Sequence, residues 1–352
     1  MTADRFIRIH FLSFSALWPL LGATSVRPRI TTGELFALLG VTFCFHLYTM
    51  LLNDVIDLPI DRTQPKRQQD PLVRGTIQPW QVLAIALVQP LLTVPMTIWL
   101  GGTLRAHVTL AAGFALMGAY NLWGKRCRYP PLTDAIQGLA WASLAIYAAQ
   151  ALGAAPNALT WLVAAYIAGF TLLFNGVHGS LRDLGNDFAS GARTTAIVLG
   201  ARIDARRGVP QVPRALAVYA SCVLIGLIGI QVAVLVRNDF GYGPVVWTGT
   251  AFGVGALNVL IVLLHPKVVH PRGSDWESAF RLHLFVVMMG LPAAFVPYAG
   301  ANVLFTLFLL NVLALVFFGS TPAIAAWAWT SMRAAIRLPH RKAFVTGTPG
   351  PD

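Results

Sequence analysis

Residues 34–62 read ELFALLGVTFCFHLYTMLLNDVIDLPIDR, an apolar run that ends abruptly in acidic residues. From Leu35 to Leu52 there is no Asp, Glu, Lys or Arg, and about 20 such residues cross a hydrocarbon core about 30 Å thick as a helix. A helix of this kind delivers its closing carboxylates to one membrane interface. The composition of the rest agrees: 56% of the 352 residues are hydrophobic and 11% are charged, against about 25% charged in a typical soluble domain. That shortage of charge excludes an ordinary water-soluble globule. The 31 Gly and 22 Pro are scattered among long apolar stretches, which excludes a disordered or fibrous chain. An all-α, multispanning membrane protein remains.

Ten apolar runs are long enough to cross, near residues 9–26, 34–52, 80–100, 104–123, 132–153, 158–178, 213–236, 244–265, 279–298 and 301–319. The first reads as a retained helix rather than a cleaved leader. Residues 1–342 are expected to form one membrane domain, and residues 343–352, with Gly, Pro and Thr but no periodicity, a disordered tail. The net charge of +12 would suggest nucleic acid in a soluble protein. In a membrane chain it marks cytoplasmic loops instead, and no nucleic-acid partner is expected. With the N-terminus inside, 22 of the 26 Lys and Arg fall on the inner side and only Arg27, Arg29, Arg105 and Arg237 outside. Both termini and the functional face are therefore expected in the cytoplasm, in a bacterial cell membrane. Cys44, Cys127 and Cys222 have no metal-ligand spacing and read as packing residues.

The acidic residues carry the chemistry. One inner segment reads N53-D54-V-I-D57-L-P-I-D61-R62, and a second reads R182-D183-L-G-N186-D187. Steps of four place Asn53, Asp57 and Asp61 near one helix face, with successive carboxylates about 6 Å apart along the axis. Asp183 and Asp187 repeat that spacing, and Pro59 interrupts the first helix because it has no N–H to donate. Two carboxylate pairs on one face repel one another unless a cation lies between them. Mg²⁺ fits, since it takes oxygen ligands from a few carboxylates and completes its shell with water and substrate phosphate. Lys66, Arg67 and Arg74 follow the first pair, Lys125 and Arg126 close the run before them in Y120-N-L-W-G-K125-R126, and Arg182 and Arg193 flank the second pair. Carboxylates mixed with Arg and Lys around a metal suit a polyphosphate. Arg202, Arg206, Arg207 and the tail cations read as topology signals alone.

These residues resemble the UbiA superfamily of intramembrane prenyltransferases. Its NDxxDxxxD motif is matched by Asn53, Asp54, Asp57 and Asp61, followed by a family-like PLVRG at Pro71 to Gly75. Its second DxxxD motif, with a downstream G-x-(K/R)-(S/T)-T, is matched by Asp183, Asp187, Gly191, Arg193, Thr194 and Thr195, and the intervening Y…KR element by Tyr120, Lys125 and Arg126. The resemblance implies a helical bundle around a central cavity open to the cytoplasm and the lipid. It implies Mg²⁺ on Asn53, Asp54, Asp57, Asp61, Asp183 and Asp187, with Asp57, Asp61, Asp183 and Asp187 as the catalytic carboxylates. The diphosphate of a prenyl donor would meet Asn53, Lys66, Arg67, Tyr120, Lys125, Arg126, Arg182 and Arg193, and the acceptor, a hydroxylated aromatic or lipid-like molecule, would lie near Gly179 and His178.

Two departures stand out: many relatives carry Tyr where this chain has Gly179, and the family usually has nine helices where ten are counted here. The stretch Asn175 to Asp183 also resembles the Nxxx(G/A)xxxD pattern of UbiA-type terpene cyclases, although there it replaces the first motif, which is intact here. The alternatives are thus such a cyclase or, in a different class, a cation-coupled transporter, whose sites lie near the bilayer midplane rather than at helix ends. His10, His46, His107 and His283 lack zinc spacing and read as core or interfacial residues.

Overall fold

The structure, a computed structural model, describes residues 8, 12–64, 67–204, 208–271 and 276–318. Lys66, Arg206, Arg207 and the tail 343–352 lie outside the described residues. Ten long helices follow the ten apolar runs: α1 (Leu12–Val26), α2 (Thr32–Ile56), α4 (Pro79–Trp99), α5 (Leu104–Trp123), α6 (Pro130–Ala151), α7 (Ala158–Leu173), α10 (Arg214–Arg237), α11 (Pro244–Val269), α12 (Trp276–Phe295) and α13 (Ala301–Phe318). Short helices α3 (Leu58–Asp61), α8 (Leu184–Ala189) and α9 (Thr195–Val198) cluster at one end of the bundle with a two-residue ladder, β1 (Arg202–Ile203) against β2 (Pro210–Gln211).

Five segments, Thr32–Ile56, Pro79–Trp99, Ala158–Arg182, Arg214–Arg237 and Pro244–Val269, are each long and apolar enough to cross a membrane. Their outward faces are apolar: Leu91 on α4, Ile225 on α10 and Phe252 on α11 are 68%, 69% and 78% exposed. Water would penalise such a surface, whereas a bilayer accepts it. The chain is an integral membrane protein built as an all-helical bundle.

Lipid tails are as apolar as Leu, so close packing and interhelical hydrogen bonds hold the helices together. The small residues of α1 and α6 bring backbones into contact; a Cβ on Gly22 would lie 2.2 Å from the Ala145 carbonyl oxygen. Gly138 meets the Ala168 backbone of α7 in the same way, with a virtual Cβ 2.8 Å from its oxygen. Ser25 Oγ lies 2.7 Å from Thr160 Oγ1, and Thr97 Oγ1 lies 2.9 Å from Tyr147 Oη, tying α1 to α7 and α4 to α6. Bonds of this kind contribute about 0.6 kcal/mol each. Around them lies an aromatic core in which Trp18 and Phe170 pack at 5.5 Å and Phe45 and Trp141 at 5.2 Å.

Alternation of direction along the chain puts the ends of α2, α5 and α7 and the start of α6 at one end. The opposite end is closed by Asn302 Nδ2, which donates to the Ile30 carbonyl at 2.5 Å, and by Gly300 N–H, which donates to the Pro28 carbonyl at 3.0 Å.

Candidate active site

Each acidic motif crosses a break in its helix. The α2 geometry stops at Asp57 (φ −85°, ψ 0°) and resumes in α3. The i→i−4 ladder survives, because Asp57 N–H donates to the Asn53 carbonyl at 2.8 Å and Asp61 N–H to the Asp57 carbonyl at 2.9 Å. Pro59 cannot make the corresponding bond, which accounts for the break. At the second motif the interruption falls on Asp183 (φ −98°, ψ 7°), again with the ladder kept from Asp187 N–H to the Asp183 carbonyl at 2.9 Å. The two carboxylates of the second motif are not equivalent, as their spacing suggested. Asp187 is buried, whereas the Asp183 side chain is 47% exposed and paired with Arg182 at 2.6 Å.

Before that break the helix widens. Residues Phe174–Gly179 form a π-helical turn, and a closing turn, Ser180–Arg182, returns to α-geometry. Two side chains hold it by reaching back five residues: Ser180 Oγ donates to the Asn175 carbonyl at 2.8 Å, and His178 Nδ1 donates to the Leu173 carbonyl at 3.1 Å. Because a carbonyl only accepts, Nδ1 of His178 carries the hydrogen and Nε2 accepts from His283 Nδ1 at 3.1 Å. His178 is thus 1% exposed and packed on His283 and on Phe280, at 4.6 Å. Gly179 is different, since a Cβ there would meet only Phe174 O at 3.4 Å and Asn175 Oδ1 at 3.6 Å.

Lys125, in the turn after α5, lies between the motifs. Its ammonium is 3.1 Å from Asp57 Oδ2 and 3.5 Å from Asp187 Oδ1. Arg193 N–H donates to the Lys125 carbonyl at 2.9 Å, so the second motif's loop is also pinned to this turn. Arg67 fills the first motif from the other side: its guanidinium lies 2.9 Å from Asp61, 3.1 Å from Asp54 and 2.9 Å from Asp70. Arg8 also pairs with Asp54. Asn53 Nδ2 donates to Asp57 at 3.2 Å. Arg126 makes no side-chain hydrogen bond or ion pair among the described residues, and the Arg193 side chain is exposed.

Five carboxylates, Asp54, Asp57, Asp61, Asp70 and Asp187, thus share three cations, Arg8, Arg67 and Lys125. Burial pushes the Asp61 carboxyl up to about 6, against the pull of Arg67. Burial raises Asp187 as well, with Lys125 opposing it. For Arg67 and Lys125 burial works against the charge, but the surrounding carboxylates outweigh it and hold both above their ordinary values.

Among the described residues, no group of three or more His, Cys, Asp or Glu side chains is gathered closely enough to hold a metal ion. The donor set nonetheless suits a hard divalent cation. It is all oxygen, it carries more negative than positive charge, and Asp187 Oδ1 is buried without a hydrogen bond. Arg67 and Lys125 neutralise these oxygens, so a metal would need them turned aside.

Several residues of the site were not singled out from the sequence. Asp134, near the start of α6, is buried; it accepts from Asn175 Nδ2 at 2.6 Å and from Thr195 Oγ1. Asn175 also donates to Tyr120 Oη at 2.9 Å. The available signal was an acidic residue inside an apolar run, which is costly in a membrane unless it serves a purpose. His283, read as a core residue, proves to be the partner of His178, and Arg8, distant in sequence, and Asp70, in the loop after α3, join the first motif through Asp54 and Arg67.

Fold and site together define an all-helical membrane bundle with two acidic motifs at one end, bridged by Lys125. The model of the UbiA prenyltransferase family matches residues 12–289, and the chain belongs to that family. It is a membrane-bound prenyltransferase by that membership and by its similarity to enzymes of this activity. It is 26% identical over 233 residues to a 4-hydroxybenzoate octaprenyltransferase of Janthinobacterium sp. (strain Marseille), covering 64% of this chain and 75% of the relative. It is 29% identical over 242 residues to a lycopene elongase/hydratase of Halobacterium salinarum, covering 66% and 78%. Among solved structures, an apo UbiA homolog from Aeropyrum pernix K1 superposes with a TM-score of 0.61 at 19% identity, over 82% of this chain and 98% of that one. A UbiA homolog from Archaeoglobus fulgidus bound to DMAPP and Mg²⁺ gives 0.57 at 13% identity, over 83% and 99%.

Proposed function

We propose that the chain transfers a prenyl group from a prenyl diphosphate to a hydroxylated aromatic acceptor, with Mg²⁺ and with release of diphosphate, at the acidic end of the bundle. The observation that carries this reading is the pair of contacts from Lys125 to Asp57 and Asp187, which joins two motifs about 130 residues apart into one site with an excess of carboxylates. Asn53, Asp57, Asp61, Asp183 and Asp187 would hold Mg²⁺, and Asp54, gripped by Arg8 and Arg67, anchors the site's guanidinium. When bound, Mg²⁺ supplies positive charge that stabilises the departing diphosphate.

The chain's own cations do the remaining electrostatic work. Lys125 and Arg67, released from carboxylates, turn to non-bridging phosphate oxygens, with Arg126, Arg182 and Arg193 at the rim. The allylic C–O bond then breaks, the electron pair leaves with the diphosphate, and the electron-rich acceptor carbon captures the cation before losing a proton. Gly179 leaves room for the acceptor one turn before Asp183, and His178 holds the wall behind it. The excess of Lys and Arg at this end supports a cytoplasmic orientation in a bacterial cell membrane, with residues 1–342 as one catalytic domain.

The test uses purified, detergent-solubilised protein supplied with Mg²⁺, prenyl diphosphates of several lengths and a panel of acceptors, read by mass spectrometry. The expected product weighs acceptor plus prenyl group minus one hydrogen, and EDTA abolishes it. A second reading, transfer to an isoprenoid alkene, is supported by the halobacterial relative's name; lycopene in the same panel decides between them. Hydrolysis alone with every acceptor would overturn both.

A further inference from the structure

Asp134 belongs to neither acidic motif, is 4% exposed, and has no cationic partner among the described residues. A carboxylate so placed survives only by accepting hydrogen bonds. It accepts two, from Thr195 Oγ1 in the segment after the second motif and from Asn175 Nδ2 in the π-turn before it. Because an ionised carboxylate has nothing to donate, the amide of Asn175 must present its NH₂ group to Asp134. The second hydrogen of that NH₂ then reaches Tyr120 Oη at 2.9 Å. A phenol oxygen that accepts in this way keeps its own hydrogen for another acceptor. Tyr120 lies in the last turn of α5, five residues before Lys125, whose ammonium meets both Asp57 and Asp187, so the phenol belongs to the end of the bundle where the two motifs meet.

We propose that Asp134 is a positioning residue which, through Asn175, fixes Tyr120 as a hydrogen-bond donor toward the diphosphate held between the acidic motifs. The inference rests on the transferase reading of that end of the bundle. A neutral amide at position 134 presents either its oxygen or its NH₂ to Asn175, so it no longer dictates which way the Asn175 amide faces. Tyr120 can then spend its hydrogen on Asn175 and offer a lone pair to the diphosphate, which repels it.

A double-mutant cycle on Asp134→Asn and Tyr120→Phe tests this. Each single variant should lose about tenfold or more in kcat with a smaller change in the KM for prenyl diphosphate. The double variant should lose no more than Tyr120→Phe alone, because Asp134 acts through the hydroxyl. Losses that multiply, or parental kcat in Asp134→Asn, overturn the proposal. Calorimetric titration with inorganic pyrophosphate and Mg²⁺ repeats the cycle without any prenyl transfer. Non-additive binding losses in a protein that transfers no prenyl group would uphold the network and sink the transferase reading; robust turnover with multiplying losses would do the reverse. If Asp134→Asn fails to fold, Asn175→Leu, which leaves the Thr195 bond to Asp134 intact, takes its place in the same cycle.

Discussion

Lys125 and Arg126 are neighbours in sequence and differ in what they touch. Lys125 meets Asp57 and Asp187, while Arg126 has no side-chain partner among the described residues. Lys125→Gln should therefore lower both kcat and diphosphate affinity, because two buried carboxylates lose their counter-ion. Arg126→Gln should raise the KM for prenyl diphosphate while leaving that for acceptor unchanged; steady-state kinetics with each substrate varied separately reads this. An Arg126 variant affecting only the acceptor KM would place that side chain in the acceptor pocket. Gly179 is the complementary case. A Cβ there meets only atoms of its own turn, so Gly179→Tyr should fold, block the native acceptor and preserve metal-dependent binding of prenyl diphosphate. Parental transfer by that variant would remove Gly179 from the acceptor side.

At the scale of elements, the bundle depends on close backbone approach more than on side-chain size. A Cβ on Gly22 would lie 2.2 Å from Ala145 O, a backbone atom that cannot move without shifting α6. Gly22→Val should thus lower thermal stability in detergent, by about 1–3 kcal/mol, with KM values of surviving protein little changed. An unaltered melting temperature would mean that α1 and α6 separate freely. The π-turn is the other element on which the site depends, since it sets Asn175 toward Tyr120 and Asp134. Its presence was not legible beforehand, because a run of six π-helical residues has the same apolar pattern as the α-helix around it.

At the scale of the whole molecule, the orientation has a direct test. Arg193 is at the acidic end and Arg105, in the first turn of α5, is at the opposite one. In a background with Cys44, Cys127 and Cys222 replaced, a cysteine at position 193 in intact cells should resist membrane-impermeant thiol reagents and react after lysis. A cysteine at position 105 should react in intact cells. The reverse pattern would invert the topology and put the active site outside.

What the sequence determined by itself was whatever depends on local pattern. Among the described residues the ten runs are followed by ten helices, and five segments are long and apolar enough to cross a membrane, where a helix satisfies its own backbone groups. The motif spacing also stood, as each DxxxD kept its i→i−4 bond through a break that Pro59 announced in the first motif. Tertiary structure alone decided which charges meet. Nothing local links Asp54 to Arg8, Lys125 to Asp187, or Asp134 to Thr195; these pairs form because packed helices bring distant turns to one end. Tertiary structure also decided that Asp183 stays half-exposed and paired with Arg182 while Asp187 is buried, a difference invisible in a repeated spacing. The physical reason is that helix periodicity records which face a residue occupies, whereas burial and ion pairing depend on what the rest of the chain places against that face.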